Sequence, residues 1–136
     1  MLTGLNHLTL AVTDLDRSVA FYTALPGVRL RARWLRGAYL SVGTCWLCLT
    51  RSSLPLESAS AQYTHYAFSL SQEDFLPMVN ILESKQVPTW QENRSEGSSW
   101  YFLDPDGHKL EVHVGDLESR LAQCRLHPYE GMQFYD

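Results

Sequence analysis

The sequence predicts an α+β domain built from paired βαβββ modules, with a curved, partly open sheet and helices outside it. Three observations lead there. Strand-like alternation followed by a capped amphipathic segment occurs twice, at "LNHLTLAVTDLDRSVAFYTALPG" and at "YTHYAFSLSQEDFLPMVNILESK". Each occurrence is followed by three short strand candidates. The Ser-rich stretch "RSSLPLESASAQ" separates them.

In the first unit, Leu8, Leu10 and Val12 alternate with His7, Thr9 and Ala11. A strand therefore sends the first set under a helix and the second to the concave side. Thr13 or Asp14 can cap the helix that follows. Its stripe is Leu15, Val19 and Tyr22, and "PG" ends it. The strands "VRLRARW", "AYLSVG" and "WLCLT" come next, punctuated by Gly37 and Gly43. In the second unit Tyr66, Phe68 and Leu70 alternate with Tyr63, His65 and Ala67. Ser71 opens a helix in which Phe75, Met78, Val79 and Leu82 share a face. Pro77 lies several residues inside it, where it should cost stability or force a late start. "VPTWQ", "SWYFLD" and "KLEVHV" supply three more strands, the last two joined by the turn "DPDG". A last amphipathic segment, "DLESRLAQCR", groups Leu117, Leu121 and Cys124. The tail "LHPYEGMQFYD" has no usable periodicity, and His127 within it carries no assignment. The expected division is one domain over residues 1–136. Module one covers about 1–52, a linker 53–62, module two about 63–115, and a C-terminal helix and tail 116–136.

With 136 residues, 45% of them hydrophobic and 19% charged, the chain has the composition of a soluble globular domain. A net charge of −4 and a pI near 5.7 argue against a nucleic-acid or anionic-membrane surface. No apolar run reaches the roughly 18 residues that span a bilayer. The N-terminus lacks a basic leader and a cleavage pattern, so a cytoplasmic location is expected. The odd count of three cysteines, Cys45, Cys48 and Cys124, with no signal peptide argues against a disulfide framework. "CWLC" has redox or zinc spacing, but on a strand residues three apart point to opposite faces.

The concave faces carry the chemistry. His7 and His65 occupy matching first-strand positions of the two units, and Glu111 lies between Leu110 and Val112 in the last strand. Two imidazoles and a carboxylate suit Mn²⁺, Fe²⁺, Zn²⁺ or Ni²⁺ and leave positions open for substrate. The residues alone leave the bland reading open, in which each is a satisfied or surface side chain. His108 should face away from Glu111, whereas His113 shares its face and competes as a ligand. The counterpart of Glu111 in the first unit falls near Trp46 and Cys48, and Trp46 offers an aromatic wall. The loop "NRSEGSSWYF" collects hydroxyls, backbone N–H groups and an arginine, which suit a phosphate, a phosphonate or a monovalent cation; a plain polar turn is the alternative.

"LNHLTLAV", "GAYLSVGTCWLCL", "YTHYAF", "NRSEGSSWYFLDPDGHKLEVHVGDL" and "PYEGMQFYD" together resemble the fosfomycin–glutathione transferases (FosA) of the vicinal oxygen chelate superfamily. The resemblance runs nearly end to end. It implies a homodimer in which a Mn²⁺ site is shared between subunits, with His7 from one and His65 and Glu111 from the other. It implies that glutathione, as co-substrate, opens the epoxide of fosfomycin and so gives antibiotic resistance. Thr9, Trp46, Gln91, Ser95, Ser99, Tyr101 and Arg120 match substrate-binding positions. Asn93, Ser95, Glu96, Gly97, Ser99 and Tyr101 match a K⁺ loop, and Trp34, Arg36, Tyr39 and Arg94 a thiol channel. There are two departures. Gln91 stands where the family usually has a lysine that reaches the phosphonate, and Arg36 where a glutamine is common. Related activities use water or another thiol on the same epoxide. The segment 36–50 has no Asp or Glu to serve as a base for water, which favours thiol addition. An Fe²⁺ dioxygenase with the same triad and a metal-free antibiotic-binding module are the remaining alternatives.

Overall fold

The structure, a computed structural model, describes residues 1–53, 56, 62–94 and 96–135. Alternation and capping make the elements as the sequence predicts. Strand β1 (His7–Val12) leads into helix α1 (Leu15–Thr23), whose N-cap Asp14 accepts a hydrogen bond from the Arg17 backbone N–H. Strands β2 (Val28–Trp34), β3 (Gly37–Val42) and β4 (Cys45–Arg51) complete the first unit. The second runs β5 (Tyr66–Ser69), α2 (Gln72–Ser84), β6 (Thr89–Gln91), β7 (Ser99–Leu103) and β8 (Lys109–His113). Helix α3 (Leu117–Leu126) follows.

Each unit forms its own mixed four-stranded sheet, in the orders β1-β4-β3-β2 and β5-β8-β7-β6. In both, the first strand lies parallel to the last and the other pairs are antiparallel. The repeat seen as a hydrophobic rhythm is thus a repeat of topology, and the fold is α+β with no closed barrel.

Leu10, Val12, Leu47 and Leu49 of the first sheet and Phe102, Leu110 and Val112 of the second meet Leu15, Val19, Tyr22 and Leu82 of the helices in one buried core. Polar bridges join the halves across it. The Tyr22 hydroxyl donates to Asp104 Oδ2 at 2.7 Å, and His108 Nε2 donates to the Ala11 carbonyl at 2.7 Å. His108 thus ties the second unit to β1, a role its sequence position did not suggest.

Two expectations need correction. Helix α2 does not start late at Pro77. Ser71 caps it, accepting from the Asp74 N–H, and Pro77 lies exposed at a position where solvent can satisfy the carbonyl left without a partner. In α3, Leu117 is 68% exposed and only Cys124 is buried, so the apolar stripe is narrower than the spacing suggested. What sets the start of α3 is polar: Asp116 and Ser119 cap it reciprocally. The linker expected at 53–62 falls largely outside the described residues.

Candidate metal and substrate site

β1 places His7 and Thr9 on the face opposite the core, because Leu8, Leu10 and Val12 take the other. Register sets His7 beside Trp46 and Thr9 beside Cys48, with Tyr39 across from Cys48. An aromatic chain results. The ring centroids are 4.5 Å apart for His7 and Trp46, 5.1 Å for Trp46 and Tyr39, and 4.7 Å for Tyr39 and Trp34. Gly37 makes the last contact possible, since a Cβ there would lie 2.4 Å from Trp34 Cζ2. The predicted substrate wall Trp46 and two of the four predicted thiol-channel residues, Tyr39 and Trp34, are therefore one continuous surface leading to His7. Arg36 is exposed at the β2–β3 turn, and Arg94 is exposed in the loop after β6. Cys45 and Cys48 are free thiols three residues apart on β4, so they face opposite sides as expected.

The second sheet repeats the arrangement. Glu111 pairs with Tyr101 on one side and Ala67 on the other. His65 lies one residue before β5 rather than within it, with its ring 6.3 Å from that of Tyr101. Tyr63 and Trp90 pack against the same imidazole at 4.9 and 5.3 Å. Glu111 is 8% exposed, and among the described residues its carboxylate forms no salt bridge. A carboxylate so placed is a suitable anionic donor for a cation.

The two histidines are oriented alike. His7 Nδ1 lies 2.7 Å from Asn6 Oδ1, and His65 Nδ1 lies 2.7 Å from the Tyr63 carbonyl oxygen. Both partners are acceptors, so each Nδ1 carries the proton and each Nε2 keeps its lone pair outward. Metal-binding imidazoles are held in this way. Two such nitrogens and one carboxylate fit a divalent first-row metal. Within one chain, however, His7 stands on the first sheet and Glu111 on the second, with His65 just ahead of β5. The described residues bring no three His, Cys, Asp or Glu side chains together as a metal cluster.

The loop after β6 adds polar groups. Asn93 Nδ2 donates to the Gly97 carbonyl at 2.8 Å and closes the turn. Arg120, from α3, reaches the Glu96 carboxylate at 3.4 Å and the Glu96 carbonyl at 3.3 Å. Burial works against the Arg120 charge, but hydrogen bonds with Tyr129 and Glu96 outweigh it and hold the guanidinium above its ordinary range. Gln91 Nε2 donates to the Tyr63 hydroxyl at 3.0 Å. Ser99 is buried, with its hydroxyl against His113. Ser95 lies outside the described residues. Sequence reasoning left out Asn6, Tyr63 and Trp90, which orient or enclose the imidazoles. Their signal was placement alone, each being next to or across from a predicted donor.

A separate cleft of about 860 Å³ lies between the end of α1, the β3–β4 turn and the β5–α2 segment, lined by Val28, Val42, Phe68, Met78 and Ile81 among others. Of the predicted site residues that are described, only His65 borders it.

Residues 4–112 match the family model of the Glyoxalase/Bleomycin resistance protein/Dioxygenase superfamily. The chain belongs to this superfamily. Within the superfamily it is 54% identical over 138 residues to glutathione transferase FosA of Serratia marcescens, covering 98% of this chain and 96% of that protein. Metallothiol transferase FosB of Staphylococcus epidermidis is 35% identical over 139 residues, covering 99% and 97%. Among solved structures, a mutant of the fosfomycin resistance protein FosX from Listeria monocytogenes, complexed with Mn(II) and 1S,2S-dihydroxypropylphosphonic acid, superposes with a TM-score of 0.78. Its identity is 28%, over 89% of this chain and 99% of that one. FosX from Mesorhizobium loti gives a TM-score of 0.75 at 28% identity, with 89% and 99% covered.

Proposed function

We propose that this protein is a fosfomycin–glutathione transferase: it adds the glutathione thiol to the epoxide of fosfomycin and so gives resistance to the antibiotic. The identity of 54% to glutathione transferase FosA over almost the whole chain supports the reaction. The observation that carries the site is the matched pair of imidazoles, each with Nδ1 bonded to an acceptor and Nε2 presented.

His7, His65 and Glu111 would hold a divalent metal, Mn²⁺ by preference of the family. That metal would act as a Lewis acid toward the epoxide oxygen, whose developing negative charge makes ring opening slow without it. Because His7 stands apart from the other two donors in one chain, the site is best completed by a second copy, with His7 from one protomer and His65 and Glu111 from its partner. A homodimer of this kind carries two equivalent sites.

The chain's own residues bind and orient. Thr9, Ser95, Ser99, Tyr101 and Arg120 offer hydroxyls and a cation to the phosphonate, and Trp46 walls the pocket beside His7. Oxygens of Asn93, Ser95, Glu96, Gly97, Ser99 and Tyr101 would hold K⁺ next to the anion. The surface formed by Trp34, Tyr39 and Trp46, with Arg36 and Arg94 at its margins, would guide the thiol to the epoxide carbon. The three cysteines are free and no helix of the described residues is long and apolar enough to cross a membrane. The free cysteines support work in the cytoplasm, where thiols stay reduced.

The deciding experiment is turnover of fosfomycin by the purified protein with Mn²⁺ and K⁺, comparing glutathione, other bacterial thiols and no thiol. Glutathione should give the highest kcat/KM. Equal consumption without thiol would show water to be the nucleophile and overturn the transferase reading.

A further inference from the structure

His113 has no part in the reading above, although it lies on the same face of β8 as Glu111. Its Nδ1 is 2.5 Å from Ser99 Oγ, and the two residues are register partners on β8 and β7. The ring is confined on both sides. A Cβ at Gly97 would lie 3.1 Å from His113 Cε1, and one at Gly115 would lie 3.2 Å from Nε2. Both glycines have positive φ, 80° and 128°, so these turns approach the ring through positions that L side chains avoid. Gly97 follows Glu96, which binds Arg120, and Gly115 precedes the first turn of α3, which carries Arg120. The imidazole is therefore the common packing surface of three segments that bear candidate anion-binding groups.

The hydrogen bond has two senses with different consequences. A serine oxygen has one proton and two lone pairs. If Nδ1 accepts, the Ser99 proton is used up and the hydroxyl can offer an anion nothing. If Nδ1–H donates, it occupies a lone pair and leaves the proton available. Confinement of the ring then holds that bond in place and narrows the directions in which the proton can point. We propose that His113 is a positioning residue whose Nδ1–H bond to Ser99 Oγ aims the serine proton at the substrate's phosphonate. The inference rests on the fosfomycin reading for the identity of that anion.

The test compares the unsubstituted enzyme with His113→Leu, His113→Asn, His113→Gln, Ser99→Ala and the double variant His113→Leu/Ser99→Ala. All are loaded with Mn²⁺ and K⁺. Fosfomycin binding is measured by calorimetry without thiol, and KM for each substrate by steady-state kinetics. His113→Leu should weaken fosfomycin binding and raise its KM about tenfold, the scale of one hydrogen bond to a charged group. The glutathione KM should stay unchanged. An asparagine amide nitrogen falls near the place of Nδ1, so His113→Asn should recover to within about threefold. A glutamine amide reaches toward Nε2 instead, so His113→Gln should not recover. The double variant should bind no worse than Ser99→Ala. Normal binding by His113→Leu, or multiplicative losses in the double variant, would overturn the proposal. Should the leucine variant fail to fold, the Asn–Gln contrast decides by itself, and equal affinities for those two count against the role. Absence of fosfomycin turnover by the unsubstituted enzyme would instead count against the substrate reading. The same series read with inorganic phosphate would then decide the part played by His113.

Discussion

Gln91 Nε2 donates a 3.0 Å hydrogen bond to the Tyr63 hydroxyl, and this tie holds a neutral amide beside the ring that packs on His65. At a position where the family resemblance leads one to expect a lysine, this chain presents a group without charge. A cation there would meet a dianionic phosphonate at close range. Gln91→Lys is expected to lower the fosfomycin KM and raise kcat/KM by about tenfold, the scale of a gained charge-assisted hydrogen bond. Steady-state kinetics at fixed glutathione checks this, and an unchanged KM and kcat/KM would count against it.

Replacing Glu111 by glutamine keeps the shape and removes the charge. Glu111→Gln should abolish Mn²⁺-dependent turnover, with a loss larger than the about 10–100-fold that follows removal of a residue merely supporting a ligand. Circular dichroism and sedimentation should show a folded protein of unchanged assembly. Surviving activity would mean that the metal donors lie elsewhere.

A shared site predicts complementation. His7→Ala and Glu111→Ala should each be inactive alone. Unfolding and refolding them together should restore about a quarter of the original activity, because about half of the dimers are mixed and each mixed dimer has one intact site. No recovery after verified mixing would argue that each chain builds its own site.

Gly37→Ala should act on the thiol rather than on the antibiotic. The added Cβ would lie 2.4 Å from the Trp34 ring and 2.8 Å from the Leu49 carbonyl oxygen, so the ring must leave its place over the hairpin. The expected result is a glutathione KM raised severalfold, a fosfomycin KM nearly unchanged, and a stability loss of about 1–3 kcal/mol. Equal effects on both substrates would detach Trp34 from the thiol path.

Burial, reinforced by the neighbouring Asp104 charge and hydrogen bond, pushes the Tyr22 hydroxyl above its ordinary value of 10.0. Its proton is retained in the folded chain and lost from the unfolded one once the pH passes about 10. Stability from this group is fully present below that pH and falls above it by about 1.4 kcal/mol per pH unit. Tyr22→Phe should flatten that alkaline slope. At neutral pH it should cost about 1–3 kcal/mol, because Asp104 loses one donor and keeps those from the Asp106 and His108 N–H groups. Urea unfolding at several pH values measures both effects.

Much of the fold was legible because its signals are local. Alternation in "KLEVHV" phases Leu110 and Val112 to the core and Glu111 away from it, and Ser71 announces its helix by capping chemistry. Pro77 and Leu117 were harder, since tolerance of a proline and burial of a leucine depend on what packs against each face. The site was legible as a set of residue types. Its supports, such as Asn6 for His7 and His113 for Ser99, were not, because a hydrogen bond depends on distance and direction and not on spacing.

By itself the sequence determined which side of each strand would carry the donors, since a pleated backbone imposes a period of two on any chain. Only the tertiary structure decided that the two units form separate sheets, with His7 in the first and Glu111 in the second. It also decided that His108 bridges the halves while His113 confronts Ser99. Those outcomes come from how two separate sheets pack around one core, a long-range balance that no local pattern encodes.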